Sequence, residues 1–314
     1  ALLPLVEAQK QKIEECELEG SDLEALAASV PHLSIDAILS HPRLPEARRV
    51  YVERHLALYG RDPFLTRLLV ESGRFVVNKV VLVLDAAQDP SRRETWLTMG
   101  RLKHEMAMFG LTSARQIDYL VARLRAVGFL DHVVPDGDRR LRILKPTEQM
   151  LAHDRDWLLT LLAPLAVLSP HIDYGLSSRC DPEFQVALGR VGLRVLPLSA
   201  KLLAANPDIM LFFNRAAGFM VITALVHAAM EHPDRPHAPV PFAEVGDRFG
   251  VSRTHVRSLL TAAQRAKLVR VHKRGGHFVE ILPRLWACYD RGMATGLFLQ
   301  DLVHAVVTGR WSEG

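Results

Sequence analysis

Residues 252–257 read Ser-Arg-Thr-His-Val-Arg, followed by Ser258, Leu259 and Leu260. Helical spacing puts Val256, Leu259 and Leu260 on one face and leaves Ser252, Arg253, Thr254, His255 and Arg257 outward near the helix start. Serine and threonine hydroxyls bond bases or phosphates, and an arginine fork takes guanine through two parallel hydrogen bonds. Phe242, Val245 and Phe249 precede this stretch, with Gly250-Val251 between. The pattern is a helix, a turn and a second helix whose start meets base edges in the major groove of DNA. A comparable stretch is Thr112-Ser113-Ala114-Arg115-Gln116-Ile117-Asp118-Tyr119. There Arg115 and Gln116 are the expected base readers, Thr112, Ser113 and Tyr119 are expected at phosphate, and Asp118 opposes phosphate.

Each of these helices leads into a turn-rich hairpin. The first has Phe129 to Val134, the turn Pro135-Asp136-Gly137-Asp138, and Arg139 to Leu144. The second has Leu268 to His272, Lys273-Arg274-Gly275-Gly276, and His277 to Leu282. Arg139, Arg140 and Arg142 in one, and Lys273, Arg274 and His277 in the other, stand where a wing reaches the DNA backbone or the minor groove. Asp136 and Asp138 are expected to order the first wing by local pairing. Charge follows the same division: residues 242–284 hold nine Lys/Arg against three carboxylates and residues 101–145 nine against five, whereas residues 1–60 hold six against ten. The net charge of +4 is therefore concentrated where a polyanion would sit. The competing explanation is that these cations merely solvate surface helices.

The elements that position these residues occur twice, about 140 residues apart. A long apolar helical segment opens at Asp62-Pro63 and ends at Ala86-Ala87-Gln88-Asp89-Pro90, presenting Phe64, Leu68, Phe75, Val76, Val80 and Leu84 for burial; its counterpart opens at Asn206-Pro207 and ends at Ala228-Ala229, before Pro233. Helices over about Trp96 to Phe109 and Thr112 to Val127 follow, then a hairpin, then a helix capped by Thr147 and running toward Leu168. Asp154-Arg155 corresponds to Asp290-Arg291, and Ile143-Leu144-Lys145-Pro146 to Ile281-Leu282-Pro283. The expected organisation is an acidic helical region (1–60), a first winged-helix unit (61–168), a connector with some helix (169–205) and a second unit (206–314). In the first region Ser21 and Glu24 form a capping box, and Pro31, Pro42 and Pro45 punctuate short helices. The fold class is mainly α with small β-hairpin wings, as tandem winged helix-turn-helix units forming a pseudo-dimer.

Residues 112–151 resemble the winged-helix core of MarR-type bacterial transcriptional regulators through Leu124-Arg125-Ala126-Val127-Gly128-Phe129-Leu130, Asp136-Gly137-Asp138-Arg139-Arg140 and Leu144-Lys145-Pro146-Thr147-Glu148. Unit two is similar from Val251-Ser252 to Leu268-Val269 and then departs: Lys267 stands where the family has glycine, and its short wing lacks the Asp/Arg-Arg pattern. The resemblance implies binding to duplex DNA, usually by a homodimer whose outer helices form the interface and often a ligand pocket, hence a small-molecule effector of unknown identity. Here two fused units would supply what a dimer supplies, whether the chain acts as a monomeric pseudo-dimer or a homodimer. Two non-identical recognition helices would then read an imperfect inverted repeat with half-sites about one helical turn apart.

Other chemistry finds little support. There is no nucleophile elbow, Walker sequence or HExxH, so no enzyme, catalytic residue or cofactor is expected. His227, His232 and His237 recur every five residues, but Pro233 and Pro236 break a shared face, so no metal is expected. Three distant cysteines (Cys16, Cys180, Cys288) fit a reducing cytoplasm. Trp96, Trp157, Trp286 and Trp311 are expected in packing. The N-terminus does not resemble a secretion signal, though no initiating Met is present. The longest uncharged apolar run, Ala216 to Met230, falls short of a membrane span and is expected as a buried helix. The expectation is a cytoplasmic, sequence-specific, double-stranded DNA-binding transcriptional regulator without membrane association. The alternatives are a winged-helix protein-interaction subunit of chromosome segregation or complex assembly, and a DNA binder like a plasmid replication initiator.

Overall fold

The structure, a computed structural model, describes residues 29–60, 62–135, 138, 140–175, 181–272 and 278–310. The Ser21/Glu24 pair, Cys16, Cys180 and Trp311 lie outside the described residues. Short helices punctuated by Pro31, Pro42 and Pro45 were expected before residue 60. Among the described residues a short α1 (Ile35–Leu39) precedes a longer, sixteen-residue α2 (Leu44–Tyr59) with Pro45 in its first turn, where the missing N–H costs nothing. Ala47, Tyr51, Val52, His55, Leu56 and Tyr59 of α2 are all buried.

Two series of elements then follow in the same order. The first comprises α3 (Pro63–Leu69), α4 (Ser72–Ala86), α5 (Met99–Ala107), α6 (Ala114–Ala126), β1 (Leu130–Val133), β2 (Ile143–Pro146) and α7 (Glu148–Leu168). After α8 (Pro182–Arg194) and α9 (Leu196–Ala204) comes the second: α10 (Pro207–Phe213), α11 (Gly218–Met230), β3 (Ala238–Pro239), α12 (Phe242–Phe249), α13 (Arg253–Arg265), β4 (Val269–Val271), β5 (Phe278–Ile281) and α14 (Pro283–Thr308). The protein is mainly helical, with two small antiparallel sheets among the described residues. One pairs β1 with β2 (Leu130 opposite Pro146); the other is ordered β3-β5-β4, with Ala238 opposite Val279 and Val269 opposite Ile281. In the first series a single bond, from Leu144 N–H to Leu97 O at 2.8 Å, stands where β3 pairs with β5 in the second. That bond holds residues 96–98 extended, so the helix expected from Trp96 starts only at Met99.

The two series repeat their exits in detail. Phe129 N–H donates to Leu124 O and Leu268 N–H to Ala263 O, while Thr147 N–H donates to Phe129 O and Leu282 N–H to Leu268 O, all at 2.8–3.0 Å. The residue before each exit is left-handed: Gly128 at φ +78° and Lys267 at φ +58°. The position demands that conformation, and the departure at Lys267 carries backbone strain that glycine would not. Lys267→Gly is therefore expected to raise the unfolding free energy by about 0.5–1 kcal/mol, since relief of the left-handed strain exceeds the added chain entropy. Urea unfolding checks it, and a loss of stability would mean that the lysine stem packs more favourably than its backbone costs.

The long apolar segments are each broken, against expectation. Val70 ends α3, and its carbonyl accepts from Ala217 N–H at 3.1 Å at the matching break between α10 and α11, so the two breaks bind each other. The break turns Phe64 outward to 49% exposure, where burial was expected. Corresponding helices α7 and α14 also pack together, and α2 lies against both α7 and α11. Helix α8, from the stretch expected as connector, packs on α4 and α14, with Gly189 so close to Ala86 that a Cβ would lie 2.6 Å from its methyl. Among the described residues no single helix is long and apolar enough to cross a membrane; α10 and α11 reach that apolarity only as a pair bent by 108°, and most of α11 is buried.

Candidate nucleic-acid interface

Helices α6 and α13 start alike. Ser113 caps α6 and accepts from Gln116 N–H at 3.3 Å, and Ser252 caps α13 and accepts from His255 N–H at 3.1 Å. Such caps satisfy donors that the first turn leaves without partners. The inner faces then match: Ile117, Leu120, Val121 and Leu124 are buried in α6, and Val256, Leu259, Leu260 and Ala263 in α13. The turn into each helix has a left-handed glycine, Gly110 at φ +62° and Gly250 at φ +68°. At Gly250 a Cβ would lie 2.8 Å from Pro63 O, so the α12–α13 turn is seated directly on the first series at α3.

On the outer face of α13, Ser252, Arg253, Thr254 and Arg257 are exposed. The side chains of Arg253, Arg257, Arg265 and Lys267 have no ion-pair or hydrogen-bond partner among the described residues. Neighbouring cations are committed elsewhere: Arg270 pairs with Glu280 at 2.7 Å, Arg284 with Asp208 at 2.6 Å, and Arg248 lies over Phe249 and bonds Leu56 O. His255 corrects the outward assignment. It is half-buried, with Nε2 2.9 Å from Ala216 O, which ties α13 to the start of α11. Helical spacing alone put His255 outside because the carbonyl that captures it comes from a segment 39 residues away.

On α6, Arg115 is exposed without a partner among the described residues, and Tyr119 is 63% exposed. Gln116 does not stand free as a base reader: its Oε1 accepts from Ser113 N–H at 2.9 Å and Ser113 Oγ at 3.0 Å, completing a capping box. Thr112 is half-buried with its hydroxyl on the same oxygen, and a Cβ at Gly73 would lie 3.2 Å from Thr112 Cβ. Asp118 pairs with Lys103 at 2.6 Å, which offsets the repulsion expected of it. Arg123 lies 5.7 Å from the Phe64 ring.

In the first hairpin, Asp138 takes Arg93 at 2.8 Å and Arg140 N–H at 3.1 Å. These donors, the backbone N–H first, hold its carboxyl below the usual range. Among the described residues its cationic partner is thus Arg93, before α5, and Arg140 meets it through the backbone N–H; Asp136 and Arg139, the rest of the expected pairing, lie outside the described residues. The exposed Arg140 and Arg142 lie on the approach to β2, which begins at Ile143, later than expected; Arg142 bonds Leu141 O at 3.0 Å. Arg139, Lys273, Arg274 and His277 lie outside the described residues.

Comparison with protein-family models, curated proteins and solved structures finds no match for the chain. The functional reading rests on this geometry alone.

Periodicity missed how the starts of α6 and α13 are joined. Gly73 lies under Thr112, Val70 bonds Ala217, and Ala216 bonds His255, so a short path of contacts holds both helix starts at the junction between the two series. The matching tryptophans also each take a cation. Lys79 lies 3.2 Å from the Trp157 ring centroid and pairs with Asp154 at 2.5 Å, while Arg48 lies 5.2 Å from Trp286 and pairs with Asp290 at 2.6 Å.

Proposed function

We propose that this chain is a double-stranded DNA-binding regulator of transcription in which α6 and α13 are the recognition helices of two winged helix-turn-helix units, fused as a pseudo-dimer. The observation that carries the reading is Arg253 and Arg257, exposed and uncommitted on the outer face of α13 while the inner face is sealed by Val256, Leu259 and Leu260. Arg253 occupies the first position of a helix with no acidic residue in its first turn. Cations there oppose the helix dipole, so folding gains nothing from them, whereas a phosphate at that end meets both the dipole and the guanidinium. The unpaired Arg115 at the start of α6 repeats the arrangement.

The test is the affinity of the full chain for a pool of genomic duplex fragments, read by fluorescence anisotropy at 50 and 200 mM salt. With six or more phosphate contacts, binding weakens about 1000-fold or more over that range. Absence of binding at the lower salt rejects the proposal. A second reading, protein interaction through the first unit, is favoured by exposed Tyr119 and Phe64 near Arg123. Binding to a protein groove would respond only mildly to salt.

A further inference from the structure

A cavity of about 430 Å³ lies between the two series. Its walls come from α2, α4, α7 and α14, and from α8 and α9, in the stretch expected as a connector with some helix. Protein interiors are close-packed, and an unfilled space of this size forfeits many contacts along its lining. It is in the range of pockets that enclose small organic molecules. Val186 and Lys145, both exposed, belong to the lining and mark the mouth.

The helix α14 keeps the space open. Gly292 and Gly296 lie one turn apart within this 26-residue helix and both line the cavity. Neither has a positive φ, and a Cβ at either would meet only ordinary contacts, 3.6 Å from Ile209 Cγ1 or Leu161 Cδ2. Glycine inside a helix costs stability that alanine would not. Packing does not demand it here, and its effect is to leave room.

Polar groups in the wall define the chemistry. Lys79 and Asp154 both line the cavity and pair at 2.5 Å, and Gln185 donates to the other Asp154 oxygen at 2.8 Å. Asp85 pairs with Lys145 at 3.1 Å, and lining Glu71 has Arg74 at 3.5 Å. Burial pulls the His55 imidazole down to about 4, so it is neutral. Every charge in the wall already has its counter-ion, and a charged ligand would enter without one, which is costly away from water. What the wall has left is donor capacity: the Lys79 N–H that neither Asp154 nor the Trp157 ring takes up, and Gln300, 8% exposed, whose amide nitrogen has no hydrogen-bond partner among the described residues.

We propose that this cavity is a binding site for an uncharged, largely apolar small molecule carrying a hydrogen-bond acceptor, with Lys79 and Gln300 as the donors that receive it. Calorimetric titration of the full chain with 9-fluorenone, an uncharged ketone, and with fluorene-9-carboxylate, of similar size but anionic, tests the class. Fluorenone is expected to bind at least tenfold more tightly than the carboxylate. Gln300→Leu is expected to weaken fluorenone about tenfold through loss of one donor. Gly296→Leu, which fills the space, should abolish binding, and the milder Gly296→Ala should weaken it; both variants are checked for folding by circular dichroism. Equal or tighter binding of the carboxylate overturns the uncharged class. Undiminished binding by both Gly296 variants, or binding of neither probe, overturns the site. No DNA is present, so the outcome is independent of the duplex reading.

Discussion

Replacing Arg253 and Arg257 together by alanine is expected to weaken duplex binding at least 100-fold while leaving the fold intact. The two side chains lie four residues apart on one exposed face of α13, and neither has a partner among the described residues. Removing a guanidinium from a base edge or phosphate costs about 1–3 kcal/mol per contact, so the pair gives about 2–6 kcal/mol, where 1.4 kcal/mol is tenfold. Exposed substitutions away from packing change stability by about 0.5 kcal/mol or less, so the thermal midpoint should hardly move. Arg270→Ala is the control. It removes a cation of the same region whose side chain is engaged with Glu280, and affinity should change less than about threefold. Anisotropy at fixed salt reads all three proteins. If the double variant binds as the parent does, α13 is not the reading helix; if Arg270→Ala loses as much, the effect is bulk charge and not a defined face.

The inner faces of α6 and α13 were legible because they obey one local rule. Apolar residues at three- and four-residue spacing after a capping serine fix which side turns inward, and Ile117, Leu120 and Val121 match Val256, Leu259 and Leu260. Residues whose surroundings come from distant segments were not legible. His255 follows the outward spacing yet is caught by Ala216 O, and Gln116 spends its carbonyl oxygen on the cap. The break at Val70 has no proline or glycine of its own to announce it; its carbonyl is bound by Ala217 from 147 positions later in the chain. The role of α2 was hidden for the same reason. Its buried residues face two partners, α7 and α11, so its apolar positions do not form one stripe. Local pattern thus gave the repeated elements, while their seating on one another depends on contacts that no window of sequence contains.

That seating is expected to make stability fall steeply in mild acid. His55, on α2 between the two series, is 2% exposed; its Nδ1 lies 2.9 Å from Tyr51 O, and Nε2 lies 3.3 Å from Thr160 Oγ1 on α7. Tyr51, Tyr59 and the Phe219 ring of α11 surround it. Burial, with a smaller opposing contribution from the Tyr51 carbonyl and a further lowering by Lys79, brings its pKa to about 4. His304, 1% exposed beside Tyr174 and Phe184, is also brought to about 4, by burial first and then by Arg310, with Asp301 and Asp173 opposing. The ordinary value is 6.5, so between pH 6.5 and 4 the unfolded chain takes up protons that the folded chain refuses. Their neutral burial is therefore tolerated without penalty above pH 6.5, and stability is lost as pH falls toward 4. At 1.36 kcal/mol per unit, each histidine withdraws about 3 kcal/mol at most, and the two together about 6 kcal/mol, comparable to the whole stability of many domains. Urea unfolding at pH 7 and pH 4.5 should show a loss of several kcal/mol in the parent. His55→Phe keeps a ring among the aromatic neighbours but cannot take a proton, so its loss over the same interval should be smaller by about 2 kcal/mol. An identical pH dependence in parent and variant would mean that His55 gains its proton without unfolding, and that the packing of α2 between α7 and α11 opens more readily than its burial implies.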